Sequence, residues 1–229
     1  MKFATFIEAP AGGVEALQQW VATDYVPRIA AETRTLRGCV YRLARPSPGT
    51  PFDAAVAALD PNFGKLDALI ESWFSSAEDF RREMLPLERH LAQRNLRYAS
   101  YHVTPRLQLD PRIAEAGPNG VRPGITTVCA IRWKPSLTPE KASAYWARHA
   151  GIALRAQTAI TKYEQNVVEE VISWSKGVIP IDAFADFSHP SVEACRDGLV
   201  ATREEMQDTS GFVEAGRFSY LGDAQPAPR

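Results

Sequence analysis

The hydrophobic and polar positions of the chain follow two kinds of period, which predict the order of its strands and helices. A β-rich or strictly alternating run is typical of a strand, and apolar residues three and four positions apart are typical of one helix face. In the C-terminal half, GITTVCAIRW at residues 124–133 predicts a strand. A helix is predicted next, with Thr138 as its N-cap and Pro139 in its first turn.

Four further elements complete the C-terminal half in the order strand, strand, helix, strand. ITKYEQNVVEEVI predicts the second strand, and IDAFADF, which alternates cleanly, predicts the third. A single helix over VEACRDGLVATREEM follows, with Ser191 as its N-cap, and GRFSYL predicts the closing strand. This half therefore has the order β-α-β-β-α-β.

The N-terminal half has the same predicted order. Its strands are KFATFIEAP, RGCVYRLA, LDALIESWF and RYASYHV, and its helices are GVEALQQWVATDYVPRIAA and a second one that begins near Ser76. A Pro- and Ala-rich insertion at residues 46–61 separates its second and third strands. The same order in both halves indicates an internal repeat.

Residue identities support this repeat. Asp67 corresponds to Asp182 at an offset of 115 residues, and Ser76 corresponds to Ser191 at the same offset. The segment LDPRIAEAGPNGVRPG is rich in Pro and Gly and predicts a boundary near residue 115, between a unit at 1–115 and a unit at 116–229. Each unit is predicted to be a ferredoxin-like split βαβ sandwich. Two such α+β units in one chain can cover each other's sheets, which predicts an intramolecular α+β barrel with its helices outside.

Composition and charge narrow the function classes. A formal net charge of -1 with no block of like charge argues against a dedicated nucleic-acid or membrane-surface protein. The three cysteines, Cys39, Cys129 and Cys195, are far apart and fit a reducing, cytoplasmic compartment. The N-terminus lacks the apolar core of a signal peptide. The short tail GDAQPAPR is expected to be disordered.

Several motifs resemble the EthD family of dimeric α+β barrel proteins. The pattern W…H-x-P/G…Y-x-x-N recurs in Trp146, His149, Gly151, Tyr163 and Asn166. LDALIESWFSS is similar to the third-strand signature of the family, and EMQDTSGFV is similar to its acidic and aromatic run before the last strand. The resemblance implies a tandem EthD-like protein. It also implies cofactor-free chemistry on aromatic, polyketide-like or lactone compounds, although related barrels include cofactor-free monooxygenases and haem enzymes.

His149 is the leading candidate for catalysis. It lies four residues after Tyr145 and three after Trp146, on the helix face that turns toward the sheet. Aligning the second strands at an offset of 124 places His149 over Tyr25, so the first half keeps the apolar stripe without a histidine. Packing alone therefore does not require histidine, and the second half is predicted to keep the reacting site. The alternative is a core histidine that a neighbouring group satisfies.

Other side chains could assist His149 or line a pocket. Tyr163 is a candidate catalytic residue, and Asp186 is a candidate for orienting His149, although its repeated acid–apolar–acid strand pattern also fits a structural role. The candidates for substrate binding are Trp133, Tyr145, Trp146, Phe184 and His189. His189, which replaces Phe74 of the copy, could instead be a solvated residue at a strand end. Each aromatic side chain could instead be an ordinary packed one.

The sequence thus predicts a cofactor-independent lyase or isomerase for a small aromatic or polyketide-like compound. Imidazole titrates near neutral pH, so His149 could take up and return a proton during cyclisation, decarboxylation or isomerisation. No metal or cofactor is expected. A small-molecule substrate is the expected partner, with a homodimer as an option. The alternatives are a non-catalytic protein that shelters an apolar metabolite and a cofactor-free monooxygenase.

Overall fold

A computed structural model describes residues 1–51, 53, 63–108 and 124–227 of the chain. In the first half, a π-helical turn joins two short helices into one continuous helical segment. The elements are β1 (Lys2–Glu8), α1 (Val14–Trp20), the π-helical turn (Val21–Tyr25), α2 (Val26–Glu32), β2 (Gly38–Leu43), β3 (Ala68–Trp73), α3 (Ala77–Gln93) and β4 (Arg97–Gln108).

The second half repeats this order with one difference in its second helix. The elements are β5 (Ile125–Trp133), α4 (Pro139–Ala156), β6 (Lys162–Trp174), β7 (Ala183–His189), α5 (Val192–Gly198), α6 (Arg203–Thr209), β8 (Val213–Leu221) and β9 (Gln225–Pro226). The predicted N-caps are confirmed. The Thr138 hydroxyl accepts a hydrogen bond from the Lys141 amide, and the Ser191 hydroxyl accepts one from the Ala194 amide.

All nine described strands form one antiparallel sheet in the order β8-β5-β7-β6-β4-β1-β3-β2-β9. The long pairing of β4 with β6 joins the two halves. At the other ends of the sheet, Ala44 bridges Leu221, and the Arg45 amide donates to the Tyr220 carbonyl at 2.7 Å. The sheet therefore curls until its ends meet, which confirms the predicted α+β barrel.

One hydrogen bond recurs at equivalent places in the two halves. The Ala9 amide donates to Asp67 Oδ2 at 2.8 Å, and the Trp133 amide donates to Asp182 Oδ2 at the same distance. These aspartates are the pair that the sequence repeat aligns at an offset of 115. Their shared contact, which ties the end of the first strand to the start of the third, explains why both halves keep an acid there.

Apolar side chains fill both faces of the curled sheet. The barrel interior holds a cluster that includes Phe6, Leu69, Tyr101 and Phe184. Outside the barrel, the helices of each half pack on their own strands, around Tyr25 in the first half and around Trp146 in the second. Within the described part of the chain, no helix combines the length and apolar character needed to cross a bilayer.

Two expectations differ from the structure. The single helix predicted after Ser191 is interrupted at Leu199–Thr202, where Thr202 caps a separate helix through its hydroxyl and the Glu205 amide. The tail was expected to be disordered, but β9 pairs with β2 at Val40 and Tyr41. Most of the insertion at 46–61 and the predicted boundary near residue 115 lie outside the described residues, so the division at 115 stays a prediction.

Candidate functional site

A pocket of about 230 Å³ lies on the outer face of the second half's sheet, under α4 and α6. Strands β5, β6, β7 and β8 form its floor. Its lining residues are Cys129, Ile131, Trp146, His149, Tyr163, Ala185, Phe187, Glu205, Met206, Thr209, Ser210, Phe212, Val213, Glu214, Gly216 and Phe218. The walls are mostly apolar and aromatic, as in most small-molecule sites, with only a few polar groups.

His149 is buried in this pocket and hydrogen-bonded through one ring nitrogen. Its side chain is 6% exposed, and Nδ1 lies 2.7 Å from Asp208 Oδ2. The Tyr145 hydroxyl donates to the other carboxyl oxygen, Oδ1, at 3.1 Å. The ring also packs edge-on against Phe212, with 5.3 Å between centroids. Tyr145 and Asp208 therefore fix the plane of the imidazole.

The hydrogen bond to Asp208 selects the tautomer of His149. An ionised carboxylate can only accept, so Nδ1 carries the proton and Nε2 keeps its lone pair. Nε2 has no hydrogen-bond partner within the described ranges. Burial lowers the pKa of His149 below its usual value, and the carboxylate of Asp208 opposes this in part. The ring is therefore neutral near pH 7, and Nε2 is the nitrogen available to a bound molecule.

The helix α6 supplies the acidic side chains of the site. Gln157, at the end of α4, holds this helix in place. Its Nε2 donates to the Val200 carbonyl and to Glu205 Oε2, both at 2.8 Å, and its Oε1 accepts from the Val200 amide at 3.0 Å. These bonds bind the α5–α6 connection to α4, so the interruption of the predicted helix is what brings α6 over the pocket.

Glu205 is a second titratable group of the pocket. Its side chain is 5% exposed, and burial raises its pKa to about 7, although the Gln157 hydrogen bond partly offsets this. A carboxyl group with such a pKa is largely protonated at slightly acidic pH. The pocket thus holds a neutral imidazole and a carboxyl group poised between its acid and its base forms.

Two of the predicted site residues, Tyr163 and Trp146, line the pocket. Tyr163 is fully buried, stacks on Phe187 with 4.5 Å between ring centroids, and accepts a hydrogen bond from Gln165 Nε2 at 2.9 Å. Burial raises the pKa of its phenol, so Tyr163 stays protonated. The thiol of Cys129 has its pKa raised to about 12 by burial, which makes it a poor nucleophile.

Two of the predicted binding aromatics stand behind the pocket instead of lining it. Trp133 packs edge-on against Trp146 and tilted against Phe212, with centroid distances of 5.4 and 5.9 Å. Tyr145 packs against Phe212 at 5.1 Å and reaches Asp208 with its hydroxyl. Both therefore support residues that do line the pocket. Trp174 lies at the end of β6 with 54% of its surface exposed.

Asp186 and Phe184 point into the barrel, on the sheet face opposite the pocket. Asp186 accepts from Lys162 at 3.1 Å and lies 4.0 Å from Arg42, and Phe184 packs edge-on against Phe6. The predicted role of Asp186 in orienting His149 is therefore not met. Strand alternation on β7 points Asp186 into the barrel, whereas His149 lies on the helix that covers the other face of the sheet. Asp208 takes that position.

The surroundings of Asp186 form a charged cluster inside the barrel. Oxygens of Glu71, Glu164 and Asp186 lie within 4.8 Å of one another, close enough to share a cation. Side chains of the chain itself already supply positive charge there: Lys2 pairs with Glu71 and Glu164, and Arg42 pairs with Glu71. Although burial alone would raise the pKa of Glu71, Lys2 and Arg42 hold it well below its usual value.

His189 occupies neither a solvated strand end nor the pocket. It is fully buried at the end of β7, beside Ile125 of β5 in the strand register. Burial lowers its pKa to about 4, so the ring is neutral. This position corresponds to Phe74 of the first half, and both residues are fully buried.

Sequence reasoning assigned no role to Asp208, Glu205 or Phe212, although all three lie in the run EMQDTSGFV. The signal was the spacing of its acids. Glu205 and Asp208 are three residues apart, which places both on one face of a helix. That spacing indicates the site only when the run is recognised as a short separate helix capped by Thr202. The prediction of one long helix after Ser191 hid this short helix.

Comparison with known proteins identifies the fold. No protein-family model matches the chain, and no curated protein matches it. Over its full length, the chain aligns with 93% of an anthrone oxidase-like protein at 10% identity and a TM-score of 0.65. It also aligns with 93% of a candidate monooxygenase from Fusobacterium nucleatum subsp. nucleatum at 8% identity and a TM-score of 0.53. The chain has the dimeric α+β barrel fold.

A third solved structure has a weaker likeness. A chlorite dismutase variant from Candidatus Nitrospira defluvii shares 13% identity over 99% of this chain and 92% of its own, with a TM-score of 0.48.

Proposed function

We propose that the protein is a cofactor-independent lyase or isomerase that moves a proton on a small, largely apolar compound held in the pocket. The observation that carries this proposal is the hydrogen bond of the buried His149 to the partly exposed Asp208, with Nδ1 and Oδ2 2.7 Å apart. A core histidine that needed only a partner would be satisfied by this bond. The pocket beside the ring gives Nε2 a place to meet a substrate.

His149 has the properties of a general base in this arrangement. Asp208 accepts the Nδ1–H hydrogen bond and stabilises the imidazolium that forms when Nε2 accepts a proton. The carboxylate beside a catalytic histidine has the same role in other enzymes. The apolar walls favour the neutral ring before reaction. General acid–base catalysis of this kind contributes about 10²–10⁴-fold to the rate, which suits substrates whose protons are already acidic.

The first half supports the assignment by contrast. Tyr25 stands at the position that corresponds to His149, is fully buried and stacks on Trp20 with 4.9 Å between ring centroids. Its hydroxyl has no hydrogen-bond partner among the described residues. We infer that the first half acts as a structural partner and that the second half holds the site.

A cofactor-free monooxygenase is the second candidate, because two solved structures with this barrel are described as anthrone oxidase-like and as a candidate monooxygenase. Both functions would begin with the same step. His149 would remove a proton from an acidic carbon or a phenol, and the resulting anion would then be reprotonated elsewhere or react with O₂. The EthD-like motifs around His149 and Tyr163 favour reprotonation, the outcome expected of a lyase or isomerase. These motifs specify the fold more closely than the reaction.

The test is proton exchange. The purified protein is mixed with anthrone or 2-acetylnaphthalene in D₂O, and deuterium uptake at the acidic carbon is followed by NMR under nitrogen. We expect His149→Ala to lower the exchange rate by about 10²–10⁴-fold. We expect Asp208→Asn to lower it less, because the ring stays in place but loses its carboxylate.

Glu204→Gln is the matched control, since Glu204 is exposed on the same helix and pairs with Arg155 at 2.9 Å. Unchanged exchange in His149→Ala would refute the proposal. Binding without exchange, with recovery of the compound unchanged, would indicate a carrier protein instead. Oxygen consumption that depends on His149 and on anthrone would favour the monooxygenase.

A further inference from the structure

We propose that Glu205 is the general acid that works together with His149, and that the site selects uncharged carbonyl compounds over carboxylates and phosphates. This inference rests on the proposed function of His149, which it extends to a second catalytic residue and a substrate class. Neither the sequence motifs nor the comparisons assign a role to Glu205.

The helix α6 brings Glu205 close to the imidazole. Glu205 and Asp208 are three residues apart on α6, which leaves about 5–6 Å between their Cβ atoms on one helix face. Asp208 lies 2.7 Å from His149, and both His149 and Glu205 line the same pocket. The carboxyl group of Glu205 and the imidazole of His149 therefore both open onto the same small pocket.

One oxygen of Glu205 is held and the other is open. Gln157 Nε2 donates to Oε2, and Gln157 is itself fixed to both backbone groups of Val200. Oε1 has no hydrogen bond within the part of the chain that the structure describes. A carboxyl group that is anchored through one oxygen can present the other, with its proton, to a ligand atom.

The other titratable groups that face this carboxyl are few. Cys129 and Tyr163 lie on the strands below it, His149 lies on α4, and Glu214 lies at the start of β8. Burial keeps Cys129 and Tyr163 protonated, and it favours the neutral form of His149. Burial is the main cause that raises the pKa of Glu205 to about 7. Glu205 can therefore enter the reaction as a neutral acid.

The charge of the lining argues for an uncharged ligand. No Lys or Arg is among the described residues that line the pocket. Its one outer ionic group, Glu214, is negative and pairs with Arg132 at 2.7 Å. A carboxylate or phosphate would lose its water there without gaining a cation, which is costly in an apolar site. A carbonyl oxygen needs only one donor, and Glu205 supplies it.

The proposed step conserves atoms and charge. His149 Nε2 takes a proton from the carbon next to the carbonyl, and the C–H electron pair forms a C=C bond. The carbonyl π pair moves to the oxygen, which takes the proton of Glu205. The products are an enol, an imidazolium paired with Asp208, and the Glu205 carboxylate. In a compound whose enol is conjugated with a further C=C bond, His149 returns the proton to the far carbon of that bond and the remaining C=C bond shifts. The O–H pair re-forms the C=O bond as the enol proton passes back to Glu205, which completes an isomerisation.

Ligand selectivity is tested with two probes of nearly equal shape. 2-Acetylnaphthalene is uncharged, and 2-naphthoate replaces its methyl group with a charged oxygen. Binding of each at pH 6, where Glu205 is largely protonated and 2-naphthoate is still ionised, is measured by quenching of tryptophan fluorescence, since Trp146 lines the pocket. We expect 2-naphthoate to bind at least about tenfold more weakly. Equal or tighter binding of 2-naphthoate, or no binding of 2-acetylnaphthalene, would overturn the inference.

The role of Glu205 is tested by the exchange reaction of 2-acetylnaphthalene. Glutamine keeps a hydrogen-bond donor but cannot transfer a proton as a carboxyl group does. For Glu205→Gln we expect kcat for exchange to fall by about 10²-fold with little change in KM, and the limb of the pH profile near pH 7 to disappear. Glu204→Gln should match the wild type in both.

The outcomes separate this inference from the proposed function. If His149→Ala abolishes exchange while Glu205→Gln keeps both the rate and the limb near pH 7, Glu205 is not the acid and the function of His149 stands. If neither variant changes exchange, both proposals fail. A loss of rate in Glu205→Gln that leaves the pH profile unchanged would point to a purely structural role and would also refute the inference.

Discussion

Replacing Glu205 with glutamine should change how stability depends on pH, even without a ligand. Burial raises the pKa of Glu205 from 4.5 to about 7 in the folded protein. Between these values the unfolded chain has lost the proton while the folded chain keeps it, so stability falls as pH rises through this window. At about 1.4 kcal/mol per pKa unit, the full effect is about 3 kcal/mol. Most of it, about 2–3 kcal/mol, falls between pH 5 and pH 8.

Urea unfolding at pH 5 and pH 8 measures this effect. The free energy of unfolding of Glu205→Gln, relative to wild type, should be more favourable at pH 8 than at pH 5 by about 2–3 kcal/mol. The comparison with wild type cancels the other titrating groups, His149 and His189 among them. Glu204→Gln controls for a change of charge on the same helix. A relative stability that is the same at both pH values would show that Glu205 ionises as freely in the fold as in the unfolded chain.

Three further predictions concern the fold. His189→Phe, which copies the first half, should reduce the loss of stability on acidification. The buried ring titrates near pH 4 instead of 6.5, so wild type loses about 2 kcal/mol between pH 7 and pH 5, as urea unfolding would show. Gly198→Ala should destabilise the protein by about 1–3 kcal/mol, because its Cβ would lie 2.2 Å from the Cβ of Ala159. Gly151→Ala should instead stabilise the protein by about 0.5–1 kcal/mol and raise its melting temperature, because alanine favours a helix more than glycine does. The added Cβ would contact only Arg155 Nη1, at 3.8 Å.

The architecture could be predicted from the sequence because residues that correspond in the repeat make the same long-range contacts in both halves. Strand alternation gives the elements of each half, and the offset between Asp67 and Asp182 aligns residues that make the same hydrogen bond. What the pattern did not show is the break at Leu199–Thr202. There the offset between the halves changes from 115 at Ser76 to 122 at Met84 and Met206, so the second half carries extra residues in its second helix.

The candidate site could be predicted only in part, for a related reason. His149 stood out because the first half has Tyr25 in its place. Asp186 was a plausible partner by residue type, but alternation on β7 sends its side chain into the barrel with Lys162. Choosing between the two sheet faces requires knowing which face the helices cover. Asp208 and Glu205 depend on the position of α6, which the contacts of Gln157 set and which periodicity does not encode.

In a tandem chain, only one half has to bury the titratable groups Glu205 and His149. Two identical subunits would each lose folding free energy in this way. Burying Glu205 costs the fold about 3 kcal/mol above pH 7, and the lowered pKa of His149 adds a cost on the acidic side. Such sums are large beside the 5–15 kcal/mol that keeps a typical domain folded. The first half has no histidine at the corresponding place, although it buries Glu88 on α3, whose pKa burial also raises. Its second helix, α3, runs unbroken for 17 residues, and Tyr25 packs into an apolar cluster with Phe80 and Met84. A single chain can therefore place one pocket with a buried histidine beside a copy with an apolar residue at that place, and Tyr25→His should recreate the cost in the first half without creating a second site.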